Sequence, residues 1–161
     1  PERPVDNRRS AMSTRVYLAS PFFTPSQLDL VVRLEGIVNA IPDLVLYSPR
    51  VDGVLTKMTQ EERDAAALSI FEKNCEEIAR ADVVLAVIDD RDTGVIWEMG
   101  YAFAKGVPIV TYTDRDFGLN VMLKGCAMAH ARGVGEVFKV LKLMAAGEDL
   151  GDSSDLHRVA T

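Results

Sequence analysis

Six apolar residues follow one another without interruption in Asp82-Val83-Val84-Leu85-Ala86-Val87-Ile88. Successive strand side chains point to opposite faces, so an unbroken run of strand length needs apolar cover on both sides. The run is short for a helix and rich in β-branched residues, which reads as a central strand of a parallel sheet. A chain built around such a strand must supply helices above and below it.

The rest of the sequence supplies them in alternation. Residues 15–20, 44–47, 108–112 and, more weakly, 127–130 read as further strands, while apolar side chains recur at helical spacing over 26–40, 60–80, 95–105, 120–125 and 134–146. Pro25 and Ser26 suit the start of the first helix, Thr59 with Glu62 resembles a capping box, and Gly106 stops the helix before the fourth strand. This order predicts an α/β fold with a doubly wound, five-stranded parallel sheet, a flavodoxin-like three-layer sandwich with right-handed crossovers. Its ligand site is expected beyond the carboxyl ends of the strands, at the switch point between the first and third.

A chain of 161 residues accommodates one such domain. It is placed at 14–146, between a polar N-terminal arm over 1–13, with Met12 the expected natural start, and a polar tail over 147–161. The net charge of −6, with no basic run beyond Arg8-Arg9, repels polyanions and argues against polymeric nucleic acid as a partner. Cys75 and Cys126 are the only cysteines and suggest neither a disulfide framework nor a zinc site, which points to a reducing compartment. No apolar run approaches the roughly 20 residues of a membrane span, and the N-terminus lacks a signal-peptide core, so a cytoplasmic protein without membrane association is expected.

Three loops fall at the predicted site: 20–25, 89–97 and 113–120. The middle one leads from Asp92 through Thr93-Gly94 to Glu98, placing one carboxylate in the loop and the other in the first turn or two of a helix. A carboxylate near a helix N-terminus is favoured as an anion by the dipole, so Glu98 is expected to be ionised, with Asp92 holding or relaying a proton. Paired carboxyl groups are the usual means of breaking a glycosidic bond. The plainer reading of the same residues is capping and solubility, and the pair alone does not decide between the two.

The wider context resembles the nucleoside 2-deoxyribosyltransferases over about residues 16–138. Tyr17-Leu18-Ala19-Ser20-Pro21-Phe22-Phe23 is similar to that family's first strand and aromatic loop. Asp92-Thr93-Gly94 through Trp97-Glu98-Met99-Gly100-Tyr101-Ala102 is similar to its signature, and Leu119-Asn120-Val121-Met122-Leu123 to the segment lent to a neighbouring subunit's site. The resemblance implies Glu98 as nucleophile, Asp92 as the group that orients it and manages the proton on the base, and Tyr17 as a hydrogen-bond donor to the nucleophile. It implies substrate contacts at Ser20, Phe22, Phe23, Asn74, Gly94, Trp97, Asn120 and Met122. Asn74 departs from the family's common Asp and touches base selectivity or leaving-group activation. The C-terminus lacks the aromatic that closes some members.

The implied reaction is ping-pong: Glu98 attacks C1′ of a 2′-deoxynucleoside, and a second nucleobase takes the sugar with net retention, without a metal or nicotinamide. The implied partners are a deoxynucleoside and a free nucleobase, within a homo-oligomer in which the Asn120 segment completes a neighbour's site. Two rivals share the fold. One is a 2′-deoxynucleoside 5′-monophosphate N-glycosidase, kept open by Ser20 and Lys124; the other is a non-catalytic nucleoside-sensing module, which has no use for Asp92 with Glu98. Flavin-dependent redox use lacks its Ser- and Thr-rich phosphate loop. His130 at a strand end, His157 in the tail, Cys75 at an apolar helix position and the remaining methionines read as structural. Residues 50–58 are expected to shape base preference.

Overall fold

The computed structural model describes residues 13–52, 58–115 and 118–148. Strands β1 (Thr14–Ala19), β2 (Leu44–Tyr47), β3 (Val83–Val87), β4 (Ile109–Thr113) and β5 (Ala129–Arg132) form one sheet in the order β2-β1-β3-β4-β5. Every pairing is parallel. The five residues of β3 are all buried, as the uninterrupted apolar run requires.

Side-chain parity divides the core into two layers. Val16, Leu18, Val83, Leu85, Val87, Val110 and Tyr112 pack under α1 (Pro25–Asn39) and α6 (Val134–Ala145). Tyr17, Ala19, Val84, Ala86 and Ile109 face the opposite way, against Ile78, Val95, Met99 and Ala102. Those last residues belong to α3 (Gln60–Arg80) and α4 (Thr93–Ala104), with α5 (Val121–Cys126) on the same side. A short turn, α2 (Pro49–Asp52), follows β2.

The length of α3 shapes the site. Its 21 residues span roughly 31 Å at 1.5 Å per residue, whereas a five-residue strand covers only about 17 Å. Ile78, close to the end that feeds β3, is its one buried side chain. The N-terminal turns of α3 therefore overhang the carboxyl edge of the sheet and form one wall of a cleft there.

Helix ends are set by local chemistry. Capping boxes start α1 at Thr24 with Gln27 and α3 at Thr59 with Glu62, each cap being worth about 1 kcal/mol. Gly106 ends α4 at φ 73°, a left-handed conformation that a residue with a Cβ resists.

The structure moves several expected boundaries. Helix α4 begins at Thr93, two residues earlier than its apolar spacing suggests, because Asp92 caps it. The fifth strand lies at Ala129–Arg132 instead of 127–130, since its alternating small residues fit either placement and pairing with β4 selects one. His130 is accordingly inside the strand, buried and bonded through Nδ1 to Thr111 Oγ1. The short α2 has no apolar period to announce it; the Ser48 N–H donates to Asp52 Oδ2 at 2.7 Å and Pro49 occupies its first position.

Most of the proposed N-terminal arm, residues 53–57 of the base-preference loop, and the tail from 149 onward with His157 lie outside the described residues. Among the described residues, no helix is long and apolar enough to cross a membrane.

Candidate active site

The first and third strands have crossovers leading to opposite sides of the sheet, which opens a crevice where their carboxyl ends meet α3 and α4. Tyr17 projects from β1 onto the α4 face and is fully buried. Its hydroxyl donates to Glu98 Oε1 at 2.5 Å. Burial raises the Tyr17 pKa above its ordinary value, and the Glu98 carboxylate raises it further, so this phenol stays a donor.

Glu98 carries a pKa pushed up to about 7. Burial is the largest cause, the Tyr17 hydrogen bond opposes it, and the negative charge of Asp92 adds to the rise. The expectation of a dipole-stabilised anion is thus corrected. With Asp92 as N-cap, Glu98 sits six positions into the helix, beyond the first turn where free N–H groups and the dipole act. Loss of hydration outweighs what remains of that field.

Asp92 is part of the scaffold as well as a charge felt by Glu98. Its Oδ1 accepts the Val95 N–H at 3.0 Å and so opens α4. Gly94 makes room for this, because a Cβ there would stand 3.0 Å from Asp92 Oδ1. The plain capping role and the proximity to Glu98 coexist in one side chain.

Asn74 on α3 joins the same region through a residue the sequence reading passed over. Tyr47, the last residue of β2, is the register partner of Tyr17. Its ring stacks on that of Tyr17 with centroids 5.5 Å apart, and its hydroxyl donates to Asn74 Oδ1 at 3.4 Å. Two tyrosines on adjacent parallel strands at equal parity, Tyr17 inside β1 and Tyr47 at the end of β2, were the available signal. Burial and the Glu98 carboxylate both raise the Cys75 thiol pKa.

The aromatic residues border a larger space. Phe22 and Phe23 lie with ring centroids 5.0 Å apart and, together with Ile70, Phe71, Gln60 and Arg63 among others, line a cavity of about 700 Å³ under the α3 overhang. Trp97 stacks on Tyr101 at 5.3 Å and tilts against Phe71 at 5.2 Å. Phe71 is the aromatic that sequence did not single out.

Three predicted contacts are not gathered with Glu98. Ser20 lines a separate cavity of about 210 Å³ with Gln27, Arg33, Asp89, Asp90 and Arg115, on the α1 side that strand parity assigns to it. Asn120 caps α5, accepting the Met122 N–H at 2.8 Å. Val121 and Met122 are each 76% exposed. Among the described residues no group of three His, Cys, Asp or Glu side chains is placed to hold a metal ion.

Against known proteins, the family model described as nucleoside 2-deoxyribosyltransferase matches residues 16–132. The structure of a 2-deoxyribosyltransferase from Bacillus psychrosaccharolyticus aligns at 24% identity with a TM-score of 0.69, covering 80% of this chain and 90% of that one. A CMP N-glycosidase from Clostridium botulinum aligns at 14% identity and TM-score 0.57, covering 81% and 100%. A putative pilus assembly-related protein from Burkholderia pseudomallei aligns at 14% and 0.51, covering 88% and 96%. At these identities the three share the fold with this chain. No curated protein sequence matches significantly.

Proposed function

The chain belongs to the nucleoside 2-deoxyribosyltransferase family, and from that premise we propose that it moves 2-deoxyribose between nucleobases through a covalent intermediate on Glu98. The observation that carries this reading is the 2.5 Å hydrogen bond from Tyr17 to Glu98 Oε1 in a site where burial and Asp92 hold the carboxyl pKa near 7. A carboxylate that is more basic than usual is a better nucleophile, and Tyr17 leaves its second oxygen to attack.

In the first half-reaction Glu98 forms a bond to C1′ as the glycosidic C–N bond breaks, its electron pair leaving with the base. Asp92 manages the proton the departing base takes up. In the second, a nitrogen of the acceptor base attacks C1′ and gives up its proton to Asp92 as Glu98 departs, its charge met again by the Tyr17 hydroxyl. Two inversions give net retention. Phe22, Phe23 and Trp97 offer aromatic surface to a base. Gly94 serves through the Asp92 cap, and Ser20 meets substrate only from the margin of its own cavity.

Asn120 and Met122 contribute from a neighbouring copy in this reading. Their exposure together with Val121 favours an oligomer, and a monomeric active species by light scattering rejects that part.

The N-glycosidase reading uses the same adduct with water as acceptor, and the fold shared with a CMP N-glycosidase supports keeping it. Chromatography of a deoxynucleoside panel, with and without a free acceptor base, separates the two. Base exchange with retention is expected, together with a deoxyribosyl adduct on Glu98 by mass spectrometry. Hydrolysis indifferent to acceptor, or a strict need for a 5′-phosphate, rejects transfer in favour of hydrolysis.

A further inference from the structure

Tyr47 and Tyr17 are register partners on adjacent strands, so both rings project to the α3 and α4 side of the sheet. Their planes lie 21° from parallel, yet the two hydroxyls take different partners. Tyr17 holds Glu98 and Tyr47 holds Oδ1 of Asn74. The outer side of the Tyr47 ring is covered by Lys73, whose Nζ stands 5.8 Å from the centroid and pairs with Glu77 at 2.8 Å. The Tyr47 ring is thus fixed from both faces.

An asparagine amide has an acceptor end and a donor end. When a phenol occupies the acceptor, the NH₂ group is turned away from that phenol. We propose that Tyr47 is a positioning residue for Asn74, directing its NH₂ into the cleft so that the site selects nucleobases presenting a carbonyl oxygen there over those presenting an exocyclic amine at the same position. This rests on the glycosyl-transfer reading only in taking a nucleobase as ligand. A carboxylate at position 74 presents acceptors alone and has the opposite preference.

The test uses pairs of 2′-deoxynucleosides that differ between a keto and an amino group, deoxyinosine against deoxyadenosine and deoxyuridine against deoxycytidine. Dissociation constants are measured by calorimetry on the full chain carrying Glu98→Ala, and transfer is followed separately in the unsubstituted protein. The keto member of each pair is expected to bind about tenfold more tightly, the worth of one well-placed hydrogen bond against a mismatched one. Adding Tyr47→Phe, which keeps the stack and removes the hydroxyl, is expected to bring the ratio to within about twofold of unity. Asn74→Asp in the same background is expected to invert it, an outcome that simple loss of structure does not produce. A ratio near unity before any change at 47, or one that Tyr47→Phe leaves intact, overturns the proposal. Selective binding without transfer in the unsubstituted protein supports the proposal and rejects the transferase reading; transfer without selectivity does the reverse.

Discussion

The Tyr17 hydroxyl and Glu98 Oε1 stand 2.5 Å apart although 81 residues separate them in sequence. The bond stabilises the carboxylate, while burial and Asp92 favour the acid. A nucleophile must be deprotonated, so kcat/KM for the first half-reaction is expected to rise with pH around a midpoint of about 7.

Substitutions around that carboxyl should move the midpoint in opposite directions. Tyr17→Phe removes the interaction that lowers the Glu98 pKa and shifts the limb upward, whereas Asp92→Asn removes a neighbouring negative charge and shifts it downward. Paired pH–rate profiles check this; parallel shifts would contradict the assigned causes.

The same carboxyl makes the fold sensitive to pH. Because its folded pKa of about 7 exceeds the ordinary 4.5, the native state holds more protons than the unfolded chain between those values. Its contribution to stability is therefore fully present below about 4.5 and is lost as pH rises through about 7. Glu98→Gln is expected to melt above the unsubstituted protein at pH 8, with the gap closing towards pH 5, as thermal scans at both values will show. It should also abolish turnover.

Asp92 combines two roles that substitution can part. Asn caps a helix about as well as Asp, so Asp92→Asn should preserve stability while impairing catalysis, whereas Asp92→Ala should cost about 1 kcal/mol as well. Gly94→Ala sets a methyl 3.0 Å from the capping oxygen of Asp92 and is expected to destabilise by crowding that carboxylate, with both carboxyl groups left chemically unchanged. Urea midpoints beside initial rates distinguish the three.

Glu35 ties α1 to the turn that follows β2, accepting from Ser48 Oγ at 2.7 Å and from Arg50 Nε at 3.0 Å while only 7% exposed. Removing it by Glu35→Ala leaves the largely covered Arg50 guanidinium unpaired, at a cost of about 3 kcal/mol. Replacing both partners by Leu and Met should cost less than that single change, as denaturant titration will test.

Local patterning carries the architecture because it is written in periods the backbone must obey. The apolar stretch over 83–88 demands two covered faces, the spacing in 60–80 demands a helix, and Thr59 with Glu62 marks where that helix begins. Where the pattern is weak, as in Ala129–Arg132, placement waits for pairing with β4. The carboxylates at 92 and 98 were legible as a motif, since their separation lies within one loop and helix.

What sequence leaves open is decided by distances between elements. Only the register of β1 on β2 brings Tyr47 to Tyr17 and lets it reach Asn74 on α3. Only packing against β1 turns Glu98 inward, where dehydration overrides the helix field that its position in the chain suggested. Ser20 and Tyr17, three residues apart, part company because strand parity sends them to different faces. The order of residues determines which elements form; the desolvation of a particular carboxyl, and the company its neighbours keep, depend on how those elements are pressed together.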